Sequence, residues 1–372
     1  MTDLGGENVG EADTAEERKG RASLFSFATS ELSQDAFLCW LAAVSADKDP
    51  RLARAGKRFL AWLCAAGGHG EVDPAVVQLV GPPQRQVEHI DVLLQARFAD
   101  GPATFLIEDK TGTSQHSGQL ERYLHLAKER YPRVMPIYFK TGYHFGEDKA
   151  AARAGYAVIG LDAWVQFLND LDADNDILED YRSYVSERLR ERTTALEAMW
   201  TPGGHAQLRK DFAQYEFLAR LQERCPPVHD SAKTKVVRGT NRGGEPWTHL
   251  GFAWFASALP NGIGETLFHR IDRRGERVYL STRQYAQVKG NTAAKQAKLA
   301  RLARYREQFV EARNEAGSRL SFATATTDRR GANESEIGVL YFNDKDNTTQ
   351  AVLDEFPRIH EAFVANIVLG SE

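Results

Sequence analysis

The sequence predicts an α/β domain built on a mixed sheet, followed by a second α+β domain. Three observations lead there. Apolar patterning alternates between helical and strand periods in the order α, β, β, β, α, β over roughly the first half of the chain. An Asp-Gly pair, Asp100-Gly101, joins two strand-like runs as a hairpin signal. Finally, a Thr-Pro-Gly-Gly stretch at 201–204 separates this block from a later run of helix and strand patterns.

The first helix is predicted over SELSQDAFLCWLAAVSADKDP, with Thr29 or Ser30 as its cap and Leu32, Phe37, Leu41 and Val44 on one apolar face. A second covers RLARAGKRFLAWLCAAG and stops at the paired glycines Gly67 and Gly68. VVQLVG, VEHIDVLLQARF and ATFLIEDK read as strands. HSGQLERYLHLAKERY then reads as a helix and RVMPIYFK as a strand. A strand–helix pair, YAVIGL and DAWVQFLNDL, and a long charged helix near 177–199 close the first domain. The domains expected are therefore a polar, acidic, disordered tail over 1–22, an α/β domain over 23–200 and an α+β domain over 201–372.

In the second domain a helix over HAQLRKDFAQYEFLARLQER precedes a loop-rich basic stretch, KTKVVRGTNRGG. Strands are expected at WTHLGFAWFA, ETLFHRID and RVYLSTR, a helix over about 292–316, a hairpin of LSFATATT with EIGVLYFN, and a final amphipathic helix. Lys295, Lys298, Arg301 and Arg304 stand three residues apart, so they spiral around their helix, and a solvated basic helix is the expectation. The aromatics of PWTHLGFAWFA are expected to fill a core.

Composition narrows the function classes. A hydrophobic content of 42%, a charged content of 26% and a net charge of −4 are those of an ordinary globular chain. Cys39, Cys64 and Cys225 follow no metal or disulfide spacing, which fits a reducing cytoplasm. No run of about 18 apolar residues is present, so no membrane partner is expected.

The stretch FLIEDKTGT, 105–113, runs from an apolar strand into Glu108, Asp109 and Lys110. Side chains alternate along a strand, so Glu108 and Lys110 share a face and Asp109 points the other way. A turn centred on Asp100 and Gly101 pairs Leu94 with Ile107 and Ala96 with Phe105. The same register sets Asp91 opposite Lys110 and diagonal to Glu108, roughly 5 to 8 Å apart. Two carboxylates brought together need a neutralising charge. A hard divalent cation supplies it, held by Asp91, Glu108 and the backbone carbonyl of Asp109. Lys110 would then orient or deprotonate a water and stabilise charge on a phosphate. A surface Asp–Lys pair with a Glu neighbour is the alternative reading of the same residues.

HIDVLL (Asp91), LIEDK (Glu108, Lys110) and SGQLERY (Gln119, Tyr123), in this order of elements, resemble the PD-(D/E)XK nuclease superfamily. The closest likeness is to its exonuclease-like branch with a QxxxY helix motif. The resemblance covers about residues 25–170 and implies a restriction-endonuclease-like αβββαβ core. It implies a Mg²⁺-dependent nuclease, with Mn²⁺ as a substitute, hydrolysing phosphodiester bonds in DNA rather than RNA, in defence or DNA processing. Asp91, Glu108 and Lys110 would be catalytic. Gln119 and Tyr123 would touch the substrate backbone or orient the lysine. Glu31, in the first turn of the opening helix, would complete the metal site, with Asp35 one turn further on. The helix dipole by itself also favours an acid at Glu31. Ile90 stands where the superfamily's name has Pro, and the loop TGTSQHSG lacks an acid often found there. The second domain would serve substrate choice, homo-oligomerisation or regulation. The alternative function is a catalytically silent nucleic-acid- or protein-binding module on the same fold.

Overall fold

The computed structural model describes residues 23–111, 118–229, 231–240, 246–325, 333–342 and 346–369. The expected tail at 1–22, and residues 112–117 of the loop TGTSQHSG, lie outside them. The chain divides into two compact units, Met1–Arg190 and Glu191–Glu372, upstream of the Thr-Pro-Gly-Gly turn expected to mark the boundary.

In the first unit α1 (Glu31–Ala43) and α2 (Pro50–Ala66) lead into β1 (Gln78–Leu79), β2 (Gln84–Val87), β3 (Ile90–Phe98) and β4 (Gly101–Lys110). Then follow α3 (Gln119–Arg130), β5 (Val134–Lys140), α4 (Glu147–Arg153), β6 (Ala157–Gly160), α5 (Leu161–Asn169) and α6 (Asp176–Ala198), which runs across the division. The sheet order is β1-β3-β4-β5-β6, with β2 also on β3. β3 and β4 are antiparallel, whereas β4, β5 and β6 run parallel. The sheet is therefore mixed, as expected, and each parallel step needs a crossover, which α3 and α4 supply.

Strand alternation puts Val92, Leu94, Phe105, Ile107 and Phe139 on one face, in a core with Phe37, Phe59 and Trp164. Leu93, Leu106 and Tyr138 face the other way, against Leu120 and Leu124 of α3. Gly56 lets α2 approach closely, since a Cβ there would meet Ser45 N at 2.4 Å. Trp164, fully buried, meets Phe139 edge-on and stacks on Phe167.

Three strand expectations need correction. VVQLVG forms only the two-residue β1, because a 3-10 turn at Pro74–Val76 precedes it and Pro82-Pro83 follows. VEHIDVLLQARF is broken at Glu88 and His89, whose φ of 54° and 73° make a two-residue hairpin closed by Val87 and Ile90. The β3–β4 register is shifted by two residues: Leu94 faces Phe105 and Ala96 faces Ala103. The turn centres on Ala99 and Asp100, and Gly101, with φ of 125°, opens β4. A two-residue shift preserves which face each side chain occupies. Continuing this register puts Asp91 across from Glu108 instead of Lys110.

The second unit holds α7 (Asp211–Arg224), β7 (Val236–Thr240), β8 (Pro246–Leu259), β9 (Ile263–Arg274), β10 (Arg277–Tyr285), α8 (Thr292–Glu315), β11 (Glu334–Tyr341) and α9 (Thr349–Leu369). Its antiparallel sheet has the order β11-β10-β9-β8-β7. β7 lies inside the stretch expected to be loop. Among the described residues, the segment expected to pair with β11 shows a single bridge, Ala323 to Val339. α8 is not a uniformly solvated basic helix. Lys298 is buried and donates to Ser335, while Arg301 pairs with the buried Glu265 at 2.7 Å. Of the aromatics in PWTHLGFAWFA, Phe252 is fully buried, whereas Trp247 stacks on His249 and lies under Arg270.

A chain of neutral donors crosses this core. His360 Nε2 donates to the Pro226 carbonyl, so His360 Nδ1 accepts from His269 Nε2, and His269 Nδ1 accepts from Thr282. Burial holds the His360 pKa down at about 4 and that of His269 well below its ordinary value. Because the folded pKa is depressed, the unfolded chain binds more protons and stability falls as pH drops from about 6.5 toward 4, by up to about 1.4 kcal/mol per pH unit per group. Thermal melts between pH 7 and 4.5 should show this decline, and His269→Phe with His360→Leu should flatten it. In the first unit, Trp164→Ala should lower the unfolding free energy by roughly 3–5 kcal/mol in denaturant titrations.

Candidate functional site

Alternation along β4 sends Leu106, Glu108 and Lys110 to the α3 side and Phe105, Ile107 and Asp109 to the α1 side. The strand therefore ends with charge on both faces. On the α3 side Lys110 Nζ meets Glu108 Oε1 at 2.8 Å, Asp91 Oδ2 at 3.1 Å and the Asp109 carbonyl at 2.7 Å. Asp91 Oδ2 also accepts the Asp109 N–H at 2.9 Å, holding the ends of β3 and β4 together. Gln119, the first residue of α3, donates to Glu108 Oε1 at 2.8 Å.

Glu108 is 2% exposed. Burial raises its pKa to about 7, and Asp91 and Glu31 push the same way, while Lys110 opposes them. Burial acts against the charge on Lys110, but Glu108 and Asp91 outweigh it and hold the ammonium protonated. Lys110 is thus a fixed cation here and not a proton acceptor.

The α1 side carries a second network. Asp109 is fully buried, and Gln34 Nε2 donates to its Oδ1. Thr141 and Tyr181 donate to Gln34 Oε1 at 2.6 and 3.3 Å. Asp109 and Asp35 also meet carboxyl to carboxyl, and Asp109 Oδ2 and Asp35 Oδ1 have no other donor. A proton held between them satisfies both. Burial first, and then Asp35, drives the Asp109 pKa far up, and burial lifts that of Asp35 to about 6. Gln86 Nε2 bridges Asp35 (3.2 Å) and Asp91 (3.1 Å), tying the two faces together around the strand end. Gln86, Glu88 and His89 all have positive φ. This strained turn delivers Gln86 to the carboxylates, and such strain concentrates at functional sites.

Asp91, Glu108, Lys110, the Asp109 carbonyl and Gln119 are thus brought together. Glu31 sits at the margin, where its Oε1 accepts the Thr111 N–H at 3.2 Å. Tyr123 is not joined to the cluster by a hydrogen bond among the described residues. Its ring lies parallel to that of His89, 6.3 Å away, with Arg122 over it. Gln34, Gln86, Thr141, Tyr181 and Lys140 were not singled out from sequence. Lys140 is buried and stands in register beside Lys110 on β5. Gln34 stands among Glu31, Ser33 and Asp35 in the polar first turns of α1, so no local signal set it apart.

Two carboxylates and a carbonyl pointing at one cation form an oxygen set of the kind a hard divalent ion takes, and the Lys110 ammonium stands in for that ion. Among the described residues, no three His, Cys, Asp or Glu side chains form a group that could hold a metal. Any such ion would rely on Asp91, Glu108 and the Asp109 carbonyl, with water completing its shell. No family model, no curated protein and no solved structure matches this chain. No helix among the described residues is long and apolar enough to cross a membrane.

Asp35→Asn gives a check on the carboxyl pair. A raised carboxyl pKa favours the folded state below the unfolded value near 4 and loses that contribution as pH rises through about 6. In EDTA, Asp35→Asn should therefore melt above the wild type at pH 8, and this gain should vanish by pH 4.5.

Proposed function

We propose that the first unit is a divalent-metal-dependent nuclease that hydrolyses phosphodiester bonds in DNA, on a restriction-endonuclease-like core. One observation carries the reading: Asp91, Glu108 and the Asp109 carbonyl converge on one point at the end of adjacent strands, with Lys110 at that point. The α3 crossover between the parallel strands β4 and β5, the antiparallel β3–β4 pair and the Gln119–Glu108 bond support it.

Asp91, Glu108 and the Asp109 carbonyl would hold Mg²⁺ or Mn²⁺. The bound ion supplies Lewis-acid polarisation of a phosphoryl oxygen and a lower pKa for attacking water. Gln119 keeps Glu108 turned inward. Asp91, anchored by the Asp109 N–H, keeps its second oxygen oriented through Gln86. Lys110, displaced from the oxygens, brings its positive charge to the scissile phosphate.

A second reading has its own observation. The Lys110 ammonium already neutralises the carboxylates, so the cluster is satisfied without a metal, as a silent binding module would require.

Linear, circular and single-stranded DNA and RNA, incubated in Mg²⁺, Mn²⁺ or EDTA, separate the two. Cleavage of DNA that needs the metal, and that falls roughly a hundredfold or more in Glu108→Ala and Lys110→Ala, is the expected result. Binding without cleavage by the wild type would favour the silent module. Equal cleavage by wild type and both variants would place the activity elsewhere.

A further inference from the structure

The outer face of α2 carries Arg51, Arg54, Lys57 and Arg58, and the helix contains no acid. Leu52, Ala55, Phe59, Leu60 and Leu63 occupy its inner face, so the amphipathic pattern forces the cations outward. A cleft of about 620 Å³ opens beside them, lined by Lys48, Arg54, Lys57 and Arg58 together with Pro50, Pro74, Asp47 and Asp73. Each of the two carboxylates accepts a backbone N–H, from Asp49 and Ala75 respectively. Lys48, Arg54 and Lys57 form no ion pair with the described residues, in contrast to the arginines of the second unit's sheet.

A second cavity, of about 410 Å³, adjoins the first and shares Arg58 and Pro74 with it. Its lining is different: Trp62, Ala61, Val72 and Phe167, together with Gln166 and the acids Glu71 and Asp170. Trp62 is half-buried and stacks on Phe167 with ring centroids 4.5 Å apart, so one indole face is already braced. Arg58 donates to the Asp170 carbonyl and fixes the wall between the cavities. One helix thus presents unpaired cations and, along the same groove, a braced aromatic ring.

We infer that this groove is a binding track for a single strand of nucleic acid, with phosphates against Lys48, Arg54 and Lys57 and a base against Trp62. Cations alone would suit any polyanion. The adjoining aromatic platform favours a nucleic acid over an acidic protein segment, because every base offers a π-face to stack. The same platform favours a single strand over a duplex, whose bases are already stacked on each other. Neither Asp91 nor Glu108 lines the groove, so the inference stands apart from the hydrolytic reading.

Fluorescence anisotropy of a labelled oligothymidylate of about twenty residues tests it, on the full chain in EDTA so that cleavage plays no part. Wild type is expected to bind with an affinity that falls steeply with salt. Arg54→Gln with Lys57→Gln should weaken binding at least tenfold and reduce the slope of log K against log salt by about 1.4, the loss of two phosphate contacts. Trp62→Leu should weaken it roughly tenfold with little change in that slope, and Trp fluorescence should be quenched on binding in the wild type alone. Both surface variants should melt cooperatively like the wild type. Binding is read in EDTA and hydrolysis in Mg²⁺, so failure of this inference is distinguishable from failure of the hydrolytic reading. Unchanged affinity and slope in the double variant would overturn the proposal. So would equal competition by a duplex of the same length, or by polyglutamate with no effect of Trp62→Leu.

Discussion

The Lys110 ammonium is the charge on which the end of the first unit's sheet depends. Burying Glu108 against α3 and bringing Asp91 across from it places two carboxylates where water screens them poorly. Without a cation at that point, desolvation and mutual repulsion would drive the strand ends apart or protonate Glu108. Lys110 comes from the same strand, two residues on, so β4 carries its own neutralising charge. Gln119 then completes the Glu108 shell from α3, and Asp91 takes up the Asp109 N–H as the β3–β4 ladder ends.

The other face of the same strand end solves the problem differently. Burial and the neighbouring Asp35 carboxyl push the Asp109 pKa well up, which favours its neutral form, and Asp109 Oδ1 accepts from Gln34. Gln34 is held in turn by Thr141 and Tyr181, and Tyr181 accepts from Trp164 at 3.4 Å. A polar network thus fixes α1 at the point where its apolar face gives out, and it ends in the aromatic core. Such networks specify a single arrangement only while every member is satisfied. The strained β2–β3 turn fits this pattern, because its positive-φ residues place Gln86 between Asp35 and Asp91.

The second unit repeats the principle with other residues. Glu265 is fully buried, yet Gln284, Arg301 and Tyr305 surround its carboxylate with donors. Arg270 and Arg274 of β9 and Arg283 of β10 are balanced by Asp272 on β9 and by Glu334 and Glu336 on β11. α2 of the first unit differs from both cases, since Arg54 and Lys57 form no ion pair with the described residues although Asp47 and Asp73 line the same cleft.

Periodicity alone determined the main helices, the mixed sheet and the face on which Glu108, Lys110 and Asp91 lie, because alternation of side chains is a local property of the strand, whereas α4, β7 and the break between β2 and β3 escaped it. It survived a register error since the slip was of two residues. Local sequence also marked Gln119, one turn before Tyr123. The tertiary structure alone decided that Asp91 faces Glu108 directly and that Gln119 serves the glutamate. It also decided that Tyr123 turns toward His89 and that Asp109, expected to offer only a carbonyl, buries its carboxyl beside Asp35 and Gln34. Lys298 and Arg301 turned inward for a similar reason, as Ser335 and Glu265 come from distant strands. Pattern reveals which side of an element a residue occupies. What that residue touches there depends on pairings far apart in the chain, whose energies come from burial and charge that no local window contains.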